Sequence, residues 1–431
     1  VLQAGLKQQP GDFWVHNGLG NLLRAKDPER ALRHLSAALA LRPDDPGTWA
    51  SYGLAFHEYG KHEEARASLQ HALELDDQFV MGYLILGMIQ HNREKWPETM
   101  AAYRKALELA PKLALAHTNL GLALSKQAKH KEAVEHCRKA AELAPGDATV
   151  LVNLGLVLIN QGDANESLRL YRRAITLDPT NVRAYALLGS ALFQQGDDDA
   201  AIVALNAALT AAPNQKQSDT RSILGTILVN RGMPAEAVTH LKAAAAVDPK
   251  VDLIHSQLGT ALFFCGRFSE ARQSFQAARD LKPKDPSVAK AVEAFDSIAR
   301  YYVTLEGTLS VVLKGDRQKL TSDVLAHYAE VCRLKGLHRD SAMLYAEAFA
   351  ADPKAVVEAE GYSRIHAASA AARAGCDGKV PSAERQRWRR QALSWLSAQV
   401  AVWRRLATGP QRVEARQALQ AMRADPNLAG L

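Results

Sequence analysis

The stretch Ala114–Pro145, ALAHTNLGLALSKQAKHKEAVEHCRKAAELAP, holds two short amphipathic helical patterns separated by a turn near Gln127–Lys131. Leu120, Gly121 and Leu124 share one stripe of the first pattern, and Ala133, Cys137 and Ala140 share one stripe of the second. Small residues stand where the two helices must cross closely, at Gly121, Ala133 and Ala140. Pro145 ends the second helix, because its ring cannot continue the hydrogen-bond ladder.

The same grammar returns along the chain. The crossing glycine recurs as Gly20, Gly53, Gly87, Gly121, Gly155, Gly189, Gly225 and Gly259, mostly every ~34 residues, a helix–turn–helix period. A leucine precedes each one except at Tyr52, and a closing proline recurs at Pro43, Pro111, Pro145, Pro179, Pro213, Pro249 and Pro283, with Asp77 in its place once. Over its first two-thirds the chain closely resembles a tetratricopeptide-repeat (TPR) array. The resemblance implies an all-α right-handed solenoid of helix–turn–helix repeats, closed here by a helical C-terminal cap.

Composition agrees with Ala/Leu-packed helices. The 431 residues are 47% hydrophobic and only 6% aromatic. No apolar run is long enough to span a bilayer, and no signal peptide is read at the start. Cys137, Cys265, Cys332 and Cys376 show no metal-binding spacing, so reduced thiols and a cytoplasmic setting are expected. The formal net charge of +7 does not call for nucleic acid.

The expected organisation has five parts. Residues 1–12 read as the remnant of a preceding repeat (Leu6–Pro10 resembles the end of a second helix), so the chain reads as a piece of a longer protein. Residues 13–285 read as eight tandem repeats, with one residue lost before Gly53 and two gained around Asn214–Ser218. Residues 286–320 read as an irregular helical connector: Val288–Arg300 is helical, and Gly307 and Gly315 punctuate Tyr301–Lys319. Residues 321–356 read as an isolated repeat, in which Tyr328, Ala329, Cys332, Gly336, Tyr345 and Ala348 take the repeat's slots. Residues 357–431 read as a helical tail or cap with helices at Glu358–Ala374, Ser382–Ala407 and Gln411–Ala424.

The C-terminal third carries a second resemblance. CRLKGLHRDSAMLYAEAFAADPK, HAASAAARAGCDGK, ERQRWRRQALSWLSAQVAVWRRL and the closing ADPNLAGL are similar to the tails of bacterial serine/threonine protein kinases that bear TPR arrays. Arg389, Arg390, Gln391, Ala392, Leu393, Trp395 and Leu396 match the family's helix, and Asp425, Pro426, Leu428, Ala429 and Gly430 match its end. Ile365, His366 and Ser369 depart from the family's usual Tyr, Asn and Cys.

No catalytic set is legible. A kinase needs a glycine-rich loop, a strand lysine, a catalytic-loop Asp with its Asn, and a D-F-G. Only His338-Arg339-Asp340 spells part of one, without the rest in register. The chain is therefore read as non-catalytic, with no cofactor and no metal. His57 and His91 occupy equivalent positions in successive repeats, but direct sharing of one ion across adjacent helices ~8–10 Å apart is strained. They are read as groove-lining histidines. In the TPR geometry the first helices line a concave groove, and Asn119 and Asn153, each just before a Leu-Gly, are expected to contact the backbone of an extended peptide. Ile159, Phe193, Val229 and Phe263 share a slot that forms either an apolar floor for that peptide or packing between helices.

The tail helix interleaves Trp388, Trp395 and Trp403 with Arg385, Arg387, Arg389, Arg390, Arg404 and Arg405. The tryptophans are expected to dock it on the last repeat. The alternative is an adaptor that binds nucleic acid or an acidic membrane surface through this helix. The leading expectation is a protein- or peptide-binding scaffold, the non-catalytic region of a bacterial serine/threonine protein kinase.

Overall fold

The structure, a computed structural model, describes residues 11–213, 215–317, 319–352 and 363–406. The expected remnant at Leu6–Pro10, the helix Gln411–Ala424, the terminal motif from Asp425 and the side chains of Trp403, Arg404 and Arg405 lie outside the described residues. Every regular element among the described residues is an α-helix. The chain divides into two compact units, residues 1–215 and 216–431.

In the first unit, helices alternate from Phe13–Leu23 and Pro28–Leu41 through Ala114–Lys126 and His130–Leu143 to Val182–Gln194 and Asp198–Ala211. Their starts follow from local chemistry. Asp12, Asp27, Asp45, Asp147, Asp163, Asn181 and Asp197 each accept a backbone N–H of the first turn, satisfying donors that have no intrahelical partner. Second helices end just ahead of each closing proline, as at Leu109 before Pro111 and Leu143 before Pro145. The carbonyl of that proline is used again: Trp49 Nε1 donates to Pro43 (2.7 Å) and His117 Nε2 to Pro111 (3.1 Å).

Within a repeat the two helices are fixed by a glycine facing a large side chain. A Cβ on Gly87 would lie 2.5 Å from the Tyr103 ring, and one on Gly155 would lie 2.6 Å from Tyr171. Gly20 faces Leu35, Gly189 faces Leu205, and Gly121 faces the smaller Cys137 together with the Ala133 carbonyl. Tyr103, Leu120, Leu124, Ala133, Cys137, Leu154 and Leu158 form one continuous core across successive repeats.

The turn between the paired helices of most repeats holds one residue in the left-handed region. Glycine supplies it at Gly162 (φ 98°), but Ala128 (φ 56°) stands there in the repeat first quoted.

The second unit opens with two more repeats, Ser218–Asn230 with Pro234–Val247 and Asp252–Phe264 with Phe268–Asp280. There the sequence expectation fails. The connector is not irregular: Pro286–Leu313 is one continuous helix. Val292, Ala299, Tyr302, Leu305, Leu309 and Val312 keep a buried stripe through Gly307, whose open side meets no other atom within 4 Å. An exposed glycine costs only ~1 kcal/mol in such a helix. Gly315 (φ 109°) follows its end. Inside the unit, Asp296 on this helix is held by Arg279, by Arg300 (2.9 Å) and by Arg272 (3.7 Å). Burial pushes its carboxyl up, but hydrogen bonds from Arg279 and Arg300 outweigh that and hold it below the usual range.

Helices Ser322–Leu334 and His338–Ala351 form the isolated pair, with Ala329 in the glycine's place and Ser341 Oγ donating to its carbonyl (2.7 Å). The Ala-rich helix spans Ser363–Cys376, the expected start at Glu358 lying outside the described residues, and Ser382–Leu406 follows. No described helix is long and apolar enough to cross a membrane.

Opposite effects are expected at two of these positions. Gly87→Ala drives a methyl into Tyr103 and should destabilise the repeat by about 1–3 kcal/mol, whereas Ala128→Gly relieves a left-handed alanine and should stabilise by about 0.5–1 kcal/mol. Amide hydrogen exchange over Val80–Leu143 reads both; equal protection in the two variants contradicts the account.

Candidate functional site

The residues singled out from sequence fall on two slots of the repeat, and the structure gives each slot a packing role. The first lies two residues before the crossing glycine and holds Asn119 and Asn153. Its role is clearest in the second unit, where Gln257 accepts from Ser222 and donates to Thr226 (2.8 Å) of the preceding repeat. The slot therefore sits on the seam between successive first helices. Asn119 remains half-buried, but Asn153 is only 6% exposed and its Oδ1 has no partner. The expected open pair of amides reduces to Asn119, because the Asn153 side chain is closed into the seam.

The second slot, four residues after the glycine, holds His57, His91, Ile159, Phe193, Val229 and Phe263. In the first unit its polar members reach the following repeat. Arg24 pairs with Glu58 (3.0 Å), His57 Nε2 meets Asn92 Nδ2 (3.2 Å), and Asn160 donates to Ser125 Oγ (3.0 Å). His91 stacks edge-on against Trp96 at 4.9 Å. Ile159, Phe193 and Val229 are half-buried. Phe263 is not exposed as an apolar floor requires. It is 6% exposed and stacked under Tyr302 of the long helix at 5.2 Å, with Phe268 and Phe295 around it. Nothing in the local pattern announces that cover, which comes from a helix a full repeat later.

A different set of first-helix residues is open in the first unit. Met81 (49% exposed), Met88 (38%) and Leu115 (50%) face solvent, and Leu122 and Leu156 beside them are half-buried. The seven-residue spacing from Met81 to Met88 and from Leu115 to Leu122 puts each pair on one face of its helix. That spacing was readable in the sequence, but it lies off the glycine stripe.

Histidines pair within repeats. His16 and His34 approach through their Nδ1 atoms at 3.2 Å, His57 and His62 at 3.2 Å, and His117 and His136 at 2.9 Å. His117 already donates from Nε2 to Pro111, so its Nδ1 accepts and His136 donates. Protonation of the accepting ring, His117, would set N–H against N–H. Burial, then the neighbouring histidine, pushes His34, His57 and His136 below the ordinary histidine range, and burial with Lys126 does the same for His91. No group of three or more His, Cys, Asp or Glu among the described residues could hold a metal ion.

His338-Arg339-Asp340 opens the helix His338–Ala351, where Arg339 forms a two-pronged pair with Glu384 at 2.7 and 3.1 Å. The tail tryptophans are used for packing. Trp388 and Trp395 are buried, and Trp395 meets Phe349 edge-on at 5.2 Å. Arg389 donates to the Gly375 carbonyl (3.0 Å), and Arg387 lies over Trp388 at 5.5 Å.

Paired helices that repeat at a fixed period and bury their stripes against neighbours define a helical repeat protein. Tetratricopeptide-repeat family profiles match residues 22–80, 87–128, 112–180, 152–216 and 228–294, together more than half of the chain. The chain belongs to the tetratricopeptide-repeat proteins. Their arrays are typically scaffolds for protein–protein interaction and are generally non-catalytic. Among solved structures, the chain is similar to the Cut9-Hcn1 hetero-tetramer of APC/C (21% identity, 61% of this chain and 51% of that one, TM-score 0.49). YrrB, described as a TPR protein with an unusual peptide-binding site, is 22% identical over 43% of this chain and 95% of its own (TM-score 0.33). A TPR protein from Parabacteroides merdae is 15% identical over 58% of this chain and 98% of its own (TM-score 0.46). The chain thus spans about half the length of the first of these. No curated protein sequence is significantly similar to it.

Two outcomes follow. The lowered histidines carry no penalty above the unfolded value near 6.5, and their stability is lost as pH falls below it. The melting temperature should drop on going from about pH 7.5 to about pH 5.5, and His136→Asn should shrink that drop. A pH-independent melt would contradict the pairing. Separately, truncating a buried tryptophan costs ~3–5 kcal/mol, so Trp395→Ala should make Ser382–Leu406 protease-sensitive while residues 13–285 stay intact. An unchanged digest would mean that the helix is not docked.

Proposed function

We propose that this chain is a protein-binding scaffold that takes an extended partner segment along the first helices of its third to sixth repeats. The observation that carries the reading is the apolar band of Met81, Met88 and Leu115, which faces solvent on the first helices. Methionines suit such a surface because their flexible, polarizable side chains adapt to different partners. Asn119 beside the band offers an amide donor and acceptor to a partner's main chain. Phe193 and Ile159, half-buried on the neighbouring slot, extend the same role. We divide the work along the chain accordingly: the repeats of 13–285 bind, and 321–356 with 357–431 close the array. The single, unpaired thiols fit the reducing cytoplasm.

The tail motifs, above all Arg389–Leu396, support reading the chain as the non-catalytic region of a bacterial serine/threonine protein kinase. In that reading, antibodies against the chain precipitate phosphotransferase activity from the source cells, while the chain itself transfers no phosphate from ATP.

The binding surface is tested by pull-down from lysate with Met81→Glu/Leu115→Glu against Val203→Glu, a control on an exposed second-helix residue (70%). The double variant should lose wild-type partners by more than tenfold, as charges at an apolar contact do, and the control should keep them. Full retention by a folded double variant removes this face as the binding surface.

A further inference from the structure

We propose that His57 and His62 form a chelating site for a divalent transition-metal ion of the kind imidazole prefers, such as zinc, copper or nickel. The site lies within the second repeat and does not depend on the partner-binding reading above.

An ion shared by His57 and His91 would have to bridge two repeats, whereas His57 and His62 face each other inside one. His57 stands in the last turn of the helix Pro46–Glu58, and His62 opens the helix His62–Leu75. The turn between them is fixed by its own backbone. Gly60 N–H donates to the His57 carbonyl (3.0 Å), Lys61 N–H donates to the Phe56 carbonyl (2.8 Å), and Gly60 takes the left-handed φ of 85°. Both histidines are half-buried, so an ion can reach them from solvent.

The two Nδ1 atoms are 3.2 Å apart. An ion ~2.0–2.1 Å from each would see them at an angle of about 100–105°, close to tetrahedral. The orientation of the rings supports the same conclusion. In the pair His117–His136 the Nδ1 atoms are nearer, at 2.9 Å, yet the ring centres are farther apart, at 5.2 Å against 5.1 Å for His57–His62. His117 and His136 meet along a single N–H···N line, whereas His57 and His62 are bent off such a line, as two ligands of one ion are. The ion takes the place of the one proton that the two nitrogens share. The outer nitrogen of His57 is anchored as well. Its Nε2 lies 3.2 Å from the Asn92 amide of the next repeat. With the amide oxygen turned towards it, Asn92 accepts from Nε2–H and leaves Nδ1 bare, the arrangement that orients a metal-bound histidine. Burial, then His62, pushes His57 below the ordinary histidine range, so at neutral pH no extra proton competes for that ring. No third His, Cys, Asp or Glu completes the set among the described residues. The remaining positions therefore fall to water or to a donor brought by a partner, which makes this an open site and not a closed structural one.

The probe is zinc, titrated into the tag-free full chain at neutral pH against a chromophoric chelator, with magnesium as the comparison ion. Zinc should bind with micromolar affinity, and magnesium, which prefers oxygen ligands, should not compete. His62→Ala and His62→Gln should each remove one equivalent of that zinc, or weaken it at least tenfold; the second variant keeps a hydrogen-bonding side chain and loses only the imidazole. His136→Asn, which dismantles the collinear pair, should leave the equivalent in place. The proposal fails if no zinc binds below about 1 mM, or if magnesium competes equally. It also fails if either His62 variant with wild-type circular dichroism keeps the full stoichiometry and affinity, or if the equivalent is lost in His136→Asn.

Discussion

The fold depends on one steric condition, met eight times: a first helix must present a hydrogen where its partner presents a bulky side chain. With glycine at the crossing, Tyr103, Tyr171, Leu205, Leu241 or Phe275 can lie flat against the first helix's backbone. The large residue then loses its water to the helix it touches, and each such side chain contributes roughly 1.5–3 kcal/mol on burial. The condition is reciprocal, so volume can be redistributed. Gly121 faces Cys137, whose sulfur fills the space a ring occupies elsewhere, and in the isolated pair Ala329 takes the glycine's place. Burial at this contact pushes the Cys137 thiol up to about 12, so it behaves as a small core residue and not as a nucleophile.

Once a repeat is set, its polar residues are spent on the next one. Arg24 with Glu58, His57 with Asn92 and Ser125 with Asn160 run along the first unit at one position of the turn. Individually such contacts contribute little at a surface. Their effect is on register, because each can form only if the following repeat lands one period on. This explains why His57, which shares the slot of the expected binding floor, is engaged by the following repeat. A polar or aromatic residue at a constant slot of a repeat is under two pressures, neighbour and partner, and the neighbour is present at all times.

The glycine, the leucine before it and the proline that closes the repeat were legible because each acts within one repeat or on the adjacent one. The turn residue was not, since Ala128 and Glu94 adopt the left-handed conformation that glycine takes in other repeats. Gly307 misled in the opposite direction: a glycine on the open side of a long helix breaks nothing when Tyr302, Leu305 and Leu309 hold the other side. Phe263 looked like an exposed aromatic because its cover, Tyr302, belongs to no repeat. The open band of Met81, Met88 and Leu115 lies off the buried glycine stripe, so the pattern that marks the core does not mark it, although its seven-residue spacing is present in the sequence.

The two kinds of miss have one physical origin. A period encodes contacts between neighbours, and the second unit is where the chain stops using them. The single helix Pro286–Leu313 takes the place of a helix pair. It brings Phe295 and Tyr302 onto the aromatic rings of the eighth repeat, and Asp296 between arginines of two helices. An ion cluster around a carboxylate this buried is a poor source of net stability, because desolvation offsets most of the attraction. Its geometry is nevertheless demanding, since removing any arginine leaves the charge less compensated. Such a cluster fixes where the helix lies more than how firmly it is held. Direction matters because this helix connects the eighth repeat to the isolated pair in the chain, and in the same unit the turns at Gly266 and Leu334 come into contact.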